Sequence, residues 1–302
     1  MTGGGLTKGN ILSIGHGTTK DGPGWRSIVY FKGCNFSCPW CSSPHTIPSK
    51  PVLLLYPSFA KYPERDARSC PKGAVRIEGG ASVTDRSVCE DCVTFDCVRY
   101  CIDGSREVAG AEMTVDDVIR EIMPYKRFHA DYGVTISGGE PTCQPEFFIE
   151  LLKDLKAAGF HTACETNGSS PRLADALPYL DLVMCDLKHL DDARHKELTG
   201  VTNETVIENI RAIAASGKEL WIRIPVAPGF NDGENLAKTA EFVASLKGNI
   251  KAELLGYHRL GLPFWEAIGK KSPCERVVPP TETEIEAARA LFRAAGVNVI
   301  ET

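Results

Sequence analysis

The chain has 302 residues, of which 43% are hydrophobic and 24% are charged, and its formal net charge is −5. This composition is typical of a globular protein with one large core, and the acidic balance argues against a nucleic-acid partner. No apolar segment approaches the roughly 20 residues that a membrane helix needs, and no apolar stretch follows the glycine-rich residues 1–9. We therefore expect no nucleic-acid partner, no membrane partner and no secretory signal.

Short β-branched runs alternate with amphipathic stretches along most of the chain. The predicted strands are 27–31, 133–137, 161–166, 181–186, 220–226 and 251–257. The predicted helices are 114–125, 145–159, 203–216, 233–247 and a last one from about Thr281 to Gly296, with Thr283 and Glu286 at capping-box spacing. Six strand–helix units in succession favour a parallel sheet with right-handed crossovers. We predict an α/β fold, a partial (β/α)6 TIM-like barrel; a doubly wound sheet is the alternative.

The cysteines depart most from an ordinary composition. The chain has twelve, and eight of them lie between residues 34 and 101, mostly at metal-ligand spacing. Free thiols of this kind fit a reduced compartment better than a secreted, disulfide-bonded protein. We therefore predict a cytoplasmic protein that works in an anaerobic or oxygen-shielded setting.

Three of the cysteines directly follow the first predicted strand. They are Cys34, Cys38 and Cys41, in a CxxxCxxC loop. Such a loop supplies three thiolates to a [4Fe-4S] cluster, so that the fourth iron is left for a ligand that is not protein. The loop resembles the signature of the radical SAM enzymes, in which that ligand is S-adenosylmethionine (SAM). A zinc site with its fourth ligand elsewhere is the alternative.

A segment from about residue 46 to residue 111 interrupts the strand–helix alternation and contains five cysteines. Cys89, Cys92, Cys97 and Cys101 resemble one repeat of a two-cluster bacterial ferredoxin, and Cys70 followed by Pro71 resembles the end of the other repeat. In those ferredoxins the fourth cysteine of each repeat binds the other cluster. Counting back from Cys70 at the repeat spacing gives Asp66, Pro63 and Ala60, none of which is a thiolate.

This pattern predicts one auxiliary [4Fe-4S] cluster, held by Cys89, Cys92, Cys97 and Cys70, with Cys101 left over. Cys101 in place of Cys97 or Cys70 is an alternative, and so is a structural zinc ion on four of the five thiols. The predicted domains are a barrel made of residues 1–45 and 112–302 and a ferredoxin-like insert of residues 46–111.

Polar motifs follow the predicted strands, where the loops of a parallel barrel build its active site. They are Ser137-Gly-Gly-Glu-Pro141, Glu165-Thr-Asn-Gly168, Met184-Cys-Asp-Leu-Lys188, Arg223 with residues 225–232, and Tyr257-His-Arg-Leu-Gly261. Each motif alone is weak, because glycine turns and Asp-x-Lys pairs are common on protein surfaces. Their positions at successive strand ends together predict one site.

With Asp21-Gly-Pro-Gly24 ahead of the cysteine loop, these motifs resemble the glycyl radical enzyme activating enzymes, the group of pyruvate formate-lyase activating enzyme. The resemblance covers nearly the whole chain and implies a partial barrel. It also implies reductive cleavage of SAM at a [4Fe-4S] cluster, and a 5′-deoxyadenosyl radical that abstracts hydrogen from a glycine of a partner enzyme. The expected partners are a glycyl radical enzyme and, as the electron donor, flavodoxin or ferredoxin. We expect a monomer.

The same resemblance assigns roles to individual residues. Cys34, Cys38 and Cys41 hold the catalytic cluster, and Asp21 meets the glycine loop of the partner. The implied SAM contacts are Trp40 at the adenine, Gly138, Gly139 and Glu140 along the methionine, and Lys188, Arg223 and His258. The implied ligands of a monovalent cation are Glu165, Thr166, Met184 and Asp186.

Two other functions are open from the sequence. One is a radical SAM enzyme that acts on a small molecule or matures a peptide, against which the segments around Asp21 and His258 argue. The other is a ferredoxin-like electron carrier or zinc-binding regulator with a degenerate barrel, which would bind no SAM. The remaining cysteines, Cys143, Cys164, Cys185 and Cys274, are assigned no role.

Overall fold

The computed structural model describes residues 7–129 and 131–301; the glycine-rich residues 1–6, part of the predicted barrel segment, lie outside the described residues. The strands are β1 (Lys8–Thr18), β2 (Arg26–Phe31), β3 (Val52–Leu55), β4 (Val75–Glu78), β5 (Ala81–Thr84), β6 (Arg106–Ala109), β7 (Ala111–Thr114), β8 (Gly133–Gly138), β9 (His161–Thr166), β10 (Leu182–Asp186), β11 (Glu219–Val226), β12 (Ile250–Gly256) and β13 (Val299–Ile300). The helices are α1 (Pro63–Ser69), α2 (Asp96–Arg99), α3 (Val115–Ile122), α4 (Pro145–Ala157), α5 (Leu173–Ala176), α6 (Asp192–Thr199), α7 (Glu204–Ala215), α8 (Glu234–Ser245), α9 (Leu262–Ala267) and α10 (Glu282–Ala294). None of these helices, within the described ranges, is long and apolar enough to cross a membrane.

Within the described residues, nine strands form one sheet in the order β13-β12-β11-β10-β9-β8-β2-β1-β7. The strands β2, β8, β9, β10, β11 and β12 run parallel, as predicted, whereas β1 and β7 pair antiparallel at one edge. Tyr30 on β2 and Leu255 on β12 line the same cavity although other strands separate them in the sheet. The sheet therefore curls around an interior. Its parallel strands and the helices that follow them form a mixed α/β fold, which agrees with the fold class predicted from the sequence.

The main core lies between the outer face of this sheet and the helices. Leu151, Leu152 and Leu155 of α4 are fully buried and belong to the same apolar cluster as Val134 and Ile136 of β8. These leucines recur at helical spacing, which is why one face of α4 could be predicted as core. The outer face of the sheet is thus apolar and shielded from water. A polar site is therefore expected on the inner face and at the ends of the strands.

A small apolar cluster forms the base of the barrel interior. It consists of Ala163, Leu182, Met184 and Trp221. Side chains on one face of a strand repeat every second residue, so the next inward positions on β9, β10 and β11 are Glu165, Asp186 and Arg223. Neighbouring strands therefore place their charged side chains in one layer above an apolar base.

Capping boxes define the starts of helices α3 and α10. Thr114 and Asp117 cap α3 at the predicted start. The last helix, α10, is capped by Thr281, which accepts from Glu284 N while its own N–H donates to the Glu284 carboxylate. The predicted capping box at Thr283 is therefore wrong by two residues.

The segment that interrupts the alternation holds two separate antiparallel pairs, β3–β6 and β4–β5, with α1 and α2 between the strands. Val52 pairs with Ala109 and Leu55 with Arg106, so the pair β3–β6 brings the two ends of the segment together. The chain returns to the main sheet at Ala111, which pairs with Ile11 of β1.

Candidate active site

The loop after β2 is fixed by backbone hydrogen bonds around its cysteines. Cys34 N donates to Ile47 O at 3.0 Å, and Cys41 N donates to Cys38 O at 3.1 Å. The indole Nε1 of Trp265 donates to Cys41 O at 3.0 Å. These bonds give Cys34, Cys38 and Cys41 fixed relative positions.

Two glycines after β8 allow this loop to lie directly against the sheet. A Cβ at Gly138 would overlap Phe31 N, and a Cβ at Gly139 would overlap Gly33 O. Gly138 also has a φ of +115°, in the region that favours glycine. A side chain at either position would push the cysteine loop away from β8, so the Gly-Gly pair is required by the close approach.

One cavity of about 590 Å³ lies at the strand ends. The predicted site residues in its lining are Asp21, Cys34, Cys38, Trp40, Cys41, Gly138, Gly139, Glu165, Asp186, Lys188, Arg223 and His258. The volume falls in the range of about 300–1,000 Å³ typical of small-molecule sites. The fold therefore brings most of the predicted residues, which are scattered along the sequence, to one place.

The thiols in this cavity are suited to hold a metal cluster. All twelve cysteines, which lie within the described residues, are free. Burial raises the pKa of Cys34 above its usual range and that of Cys38 to about 12, although the nearby Lys188 ammonium lowers the pKa of Cys38. The thiols are thus protonated until a metal binds and displaces the protons. Three cysteines in the lining leave one iron of a [4Fe-4S] cluster for a non-protein ligand.

A layer of charged side chains forms another part of the lining. Arg223 pairs with Glu165 and, through Nε at 2.9 Å, with Glu253, while Lys188 Nζ lies 2.8 Å from Asp186 Oδ2. Burial alone lowers the pKa of Arg223, but the carboxylates of Glu165 and Glu253 outweigh this and raise it. Because both signs of charge are present, the layer can bind the amino and carboxylate groups of an amino acid.

Glu140 and Thr166, both predicted to contact the cofactor or its cation, lie outside the cavity lining. Thr166 Oγ1 donates to Glu140 Oε1 at 2.8 Å, and Asn167 N donates to Glu140 Oε2 at 2.6 Å. The carboxylate of Glu140 is fully buried and ties the loop after β9 to the loop after β8. The Met184 side chain lies in the apolar base, so of the predicted cation ligands Glu165 and Asp186 reach the cavity through their side chains.

Three residues that support the site have no role assigned from the sequence. Glu253 carries a signal, since its carboxylate stands between the apolar residues Ala252 and Leu254 of strand β12. Asn167 lies inside the Glu165 motif, but its amide hydrogen bond to Asn35 Oδ1 has no local signature. Trp265 carries no signal, because 224 positions of chain separate it from Cys41.

A second cavity, in the interrupting segment, has Cys70, Cys89, Cys92 and Cys97 in its lining. Cys101 is not part of that lining; its thiol donates to Asp103 Oδ1 at 3.2 Å. The structure thus brings together the four cysteines of the crossed ferredoxin pattern and leaves Cys101 apart. In the part of the chain that the structure describes, no group of three or more His, Cys, Asp or Glu side chains could hold a single metal ion.

The position of a lost ferredoxin ligand carries a charge pair instead. Asp66 Oδ2 lies 3.4 Å from Arg106 Nη2, both side chains are almost fully buried, and Ser82 Oγ donates to the same oxygen at 2.8 Å. Arg106 also lines the cavity with the four cysteines. Where the ferredoxin pattern has a cysteine, this chain therefore has Asp66, and its carboxylate forms a buried ion pair with Arg106.

Comparisons with known proteins identify the family of the chain. The model of the Radical SAM superfamily matches residues 94–243. The isethionate sulfite-lyase activating enzyme of Nitratidesulfovibrio vulgaris is 39% identical and covers 92% of this chain and 93% of its own, and the indoleacetate decarboxylase activating enzyme of Tractidigestivibacter scatoligenes is 34% identical and covers 98% of each. The 4-hydroxyphenylacetate decarboxylase activating enzyme of Clostridium scatologenes is 31% identical and covers 94% of each. The chain therefore belongs to the glycyl radical enzyme activating enzymes of the radical SAM superfamily.

Proposed function

We propose that the cavity lined by Cys34, Cys38 and Cys41 is the site at which this activating enzyme binds its [4Fe-4S] cluster and SAM. Family membership establishes radical SAM chemistry on a partner glycyl radical enzyme. The observation that carries the assignment to this cavity is the presence of three thiols, two glycines and a layer of buried charges in one lining. When bound, the cluster supplies the electron for reductive cleavage of SAM, from which the hydrogen-abstracting radical derives.

The residues of the cavity bind and orient SAM. Lys188 and His258 carry positive or hydrogen-bonding groups suited to its carboxylate, and Asp186 carries a carboxylate suited to its amino group. Trp40 packs against Phe230 with 5.6 Å between ring centroids and offers an aromatic surface to the adenine. Excluding water from this space protects the radical from side reactions.

We also propose that a monovalent cation binds next to SAM. Glu165 and Asp186 both line the cavity, and hard cations prefer carboxylate and carbonyl oxygens. Arg223 already neutralises part of the charge of Glu165, so a single positive charge fits this place better than a divalent ion.

The second part of the proposal is an auxiliary [4Fe-4S] cluster on Cys70, Cys89, Cys92 and Cys97, in a ferredoxin-like insert of residues 46–111. Four free thiols in one cavity lining support it. The thiols of such a cluster bind four different irons, so they stand farther apart than around one zinc ion, where they lie roughly 4 Å from each other. The ferredoxin-like order of these cysteines along the chain favours the cluster over zinc.

Replacing single cysteines tests this auxiliary cluster. We expect Cys97→Ala to lose about four irons per chain after anaerobic reconstitution, because one of four ligands is missing. Cys101→Ala, the matched control, should keep its iron. Iron and sulfide analysis with zinc determination is the measurement. Equal iron loss in both variants would assign Cys101 as a ligand, and zinc in place of iron would make the insert a structural zinc module.

We propose that flavodoxin or ferredoxin reduces the enzyme, in the cytoplasm, and that the auxiliary cluster relays the electron. The contacts of Arg86 support this relay. Arg86 lies three residues before Cys89 and donates hydrogen bonds to Leu53 O and to Ala267 O of α9. Helix α9 also carries Trp265, which donates to Cys41 O. One short helix thus connects the two cysteine sites. We also propose that the active form is a monomer.

The first partner to test is isethionate sulfite-lyase, because the relative that activates it is 39% identical over 92% of this chain. The indoleacetate and 4-hydroxyphenylacetate decarboxylases follow. The reconstituted chain is mixed anaerobically with SAM, a reductant and each partner, and electron paramagnetic resonance detects the glycyl radical. We expect a radical on one partner, with 5′-deoxyadenosine formed in proportion. Conversion of a small molecule without any glycyl radical enzyme would contradict the proposal.

A further inference from the structure

We propose that Arg26 and Thr135 are positioning residues, which hold the segment 21–24 so that Asp21 faces the incoming glycine loop of the partner. The inference rests on the proposed function, in which Asp21 meets that loop. The support consists of one connected set of buried hydrogen bonds.

Arg26 lies at the start of β2 and is fully buried. Its Nη1 donates to Pro23 O at 2.8 Å, its Nε to Thr135 Oγ1 at 2.7 Å and its Nη2 to Val134 O at 3.0 Å. One guanidinium therefore joins the segment 21–24 to strand β8. Burial lowers the pKa of Arg26 to about 10, and the side chain still carries its charge at neutral pH. A buried charge held by neutral acceptors is costly, so this arrangement calls for a role beyond filling space.

Thr135 connects the guanidinium to Asp21. Its hydroxyl accepts from Arg26 Nε and donates to Asp21 O at 2.6 Å. Thr135 is fully buried on β8, so water cannot replace either bond. Thr135 thus holds the backbone carbonyl of Asp21, and this contact does not involve the Asp21 side chain.

Glycines around Arg26 show that the fit is close. A Cβ at Gly133 would overlap Arg26 Nη1, and a Cβ at Gly22 would lie 3.1 Å from Arg26 Nε. Gly22 has a φ of +118°, which lets the segment turn over the guanidinium. The guanidinium therefore occupies the space that these two glycines leave free.

The Asp21 side chain reaches the cavity from this fixed backbone. Thr18 Oγ1 donates to Asp21 Oδ2 at 2.9 Å, and Asp21 shares the cavity lining with Glu165 and Arg223. A shift of the Asp21 backbone would move the carboxylate relative to those charges. Misplacement of about 1 Å at a reacting site can cost on the order of a hundredfold in rate. Precise support of Asp21 therefore has a functional reason.

Thr135→Val and Thr135→Ser form a matched pair for the test. Valine keeps the shape and removes both hydrogen bonds, whereas serine keeps the hydroxyl. With the partner enzyme that the wild type activates, we measure the glycyl radical formed per 5′-deoxyadenosine released. We expect this ratio to fall on the order of tenfold in Thr135→Val and to stay near the wild-type value in Thr135→Ser, with iron content and SAM cleavage without partner retained in both.

Amide hydrogen exchange supplies a readout that needs no partner. The amides of Asp21, Gly22, Gly24 and Trp25 should exchange on the order of tenfold faster in Thr135→Val than in Thr135→Ser, because opening of the segment costs less free energy. Gly133→Ala, which displaces the guanidinium from the other side, should reproduce the effect. The inference would be overturned if Thr135→Val and Thr135→Ser showed equal amide exchange rates and equal ratios of glycyl radical to 5′-deoxyadenosine. So would a valine variant that loses iron, SAM cleavage and radical formation in parallel, since that outcome indicates a merely structural role. A wild type that activates no partner contradicts the proposed function instead, and the exchange result still decides the positioning role.

Discussion

Replacing Cys34, Cys38 and Cys41 together by alanine is expected to abolish glycyl radical formation and to remove about four irons per chain, leaving about four at the auxiliary site. The physical reason is that the cavity lining offers these three thiols and no other cysteine among the described residues. Iron and sulfide analysis of anaerobically reconstituted protein, combined with electron paramagnetic resonance after addition of SAM and partner, measures both effects.

Cys143→Ala is the control for this triple variant. Cys143 is exposed and lies outside the cavity lining, so its iron content and radical yield should equal those of the wild type. Loss of all iron in the triple variant would mean that the insert binds none, and the auxiliary cluster with its relay would then be abandoned. Unchanged iron would show that the catalytic cluster lies elsewhere.

Arg223→Met is expected to destabilise the protein by about 3–5 kcal/mol, because it leaves the carboxylates of Glu165 and Glu253 without their cation in a largely buried layer. The remaining carboxylates must either stay charged without a partner or take up protons, and both cost free energy. Anaerobic urea unfolding of the reconstituted protein measures the change. Weaker SAM binding should accompany it, since Arg223 lines the cavity.

Lys251→Met is a matched control on the neighbouring strand. Lys251 Nζ pairs with Glu219 at 2.7 Å, but both side chains are more than a quarter exposed. Removing this pair should cost no more than about 1 kcal/mol. A second variant that combines Arg223→Met with Glu165→Gln and Glu253→Gln should recover part of the lost stability. The account of the charged layer fails if Arg223→Met costs as little as Lys251→Met.

The parallel strands could be predicted closely because hydrophobic periodicity is a local property. The predicted strand 27–31 corresponds to β2 (Arg26–Phe31), and 251–257 corresponds to β12 (Ile250–Gly256). Strand β1 was not predicted, because Gly9, Gly15 and Gly17 interrupt its pattern. Gly9 is required by a contact that only folding creates, since a Cβ there would lie 2.5 Å from the Phe147 ring.

The two cysteine groups were also visible in the sequence, since ligand spacing is local. The sequence did not show whether Cys97 or Cys101 belongs with Cys70, Cys89 and Cys92, because both lie at a plausible ligand spacing. In the fold, Cys97 is buried in the lining shared with Cys70, whereas Cys101 bonds to Asp103. The path of the chain between Cys70 and Cys101 gives the two thiols these different surroundings, and the spacing of the cysteines alone does not encode them.

By itself, the sequence determined the parallel α/β fold, the cysteine loop and the family, because periodicity, spacing and short motifs depend on neighbouring residues. Only the tertiary structure decided that Glu140 lies behind the cavity wall, that Glu253 pairs with Arg223 and that Trp265 supports Cys41. These contacts join residues from distant parts of the chain. They depend on how far the sheet curls and on which side chains then meet across its interior.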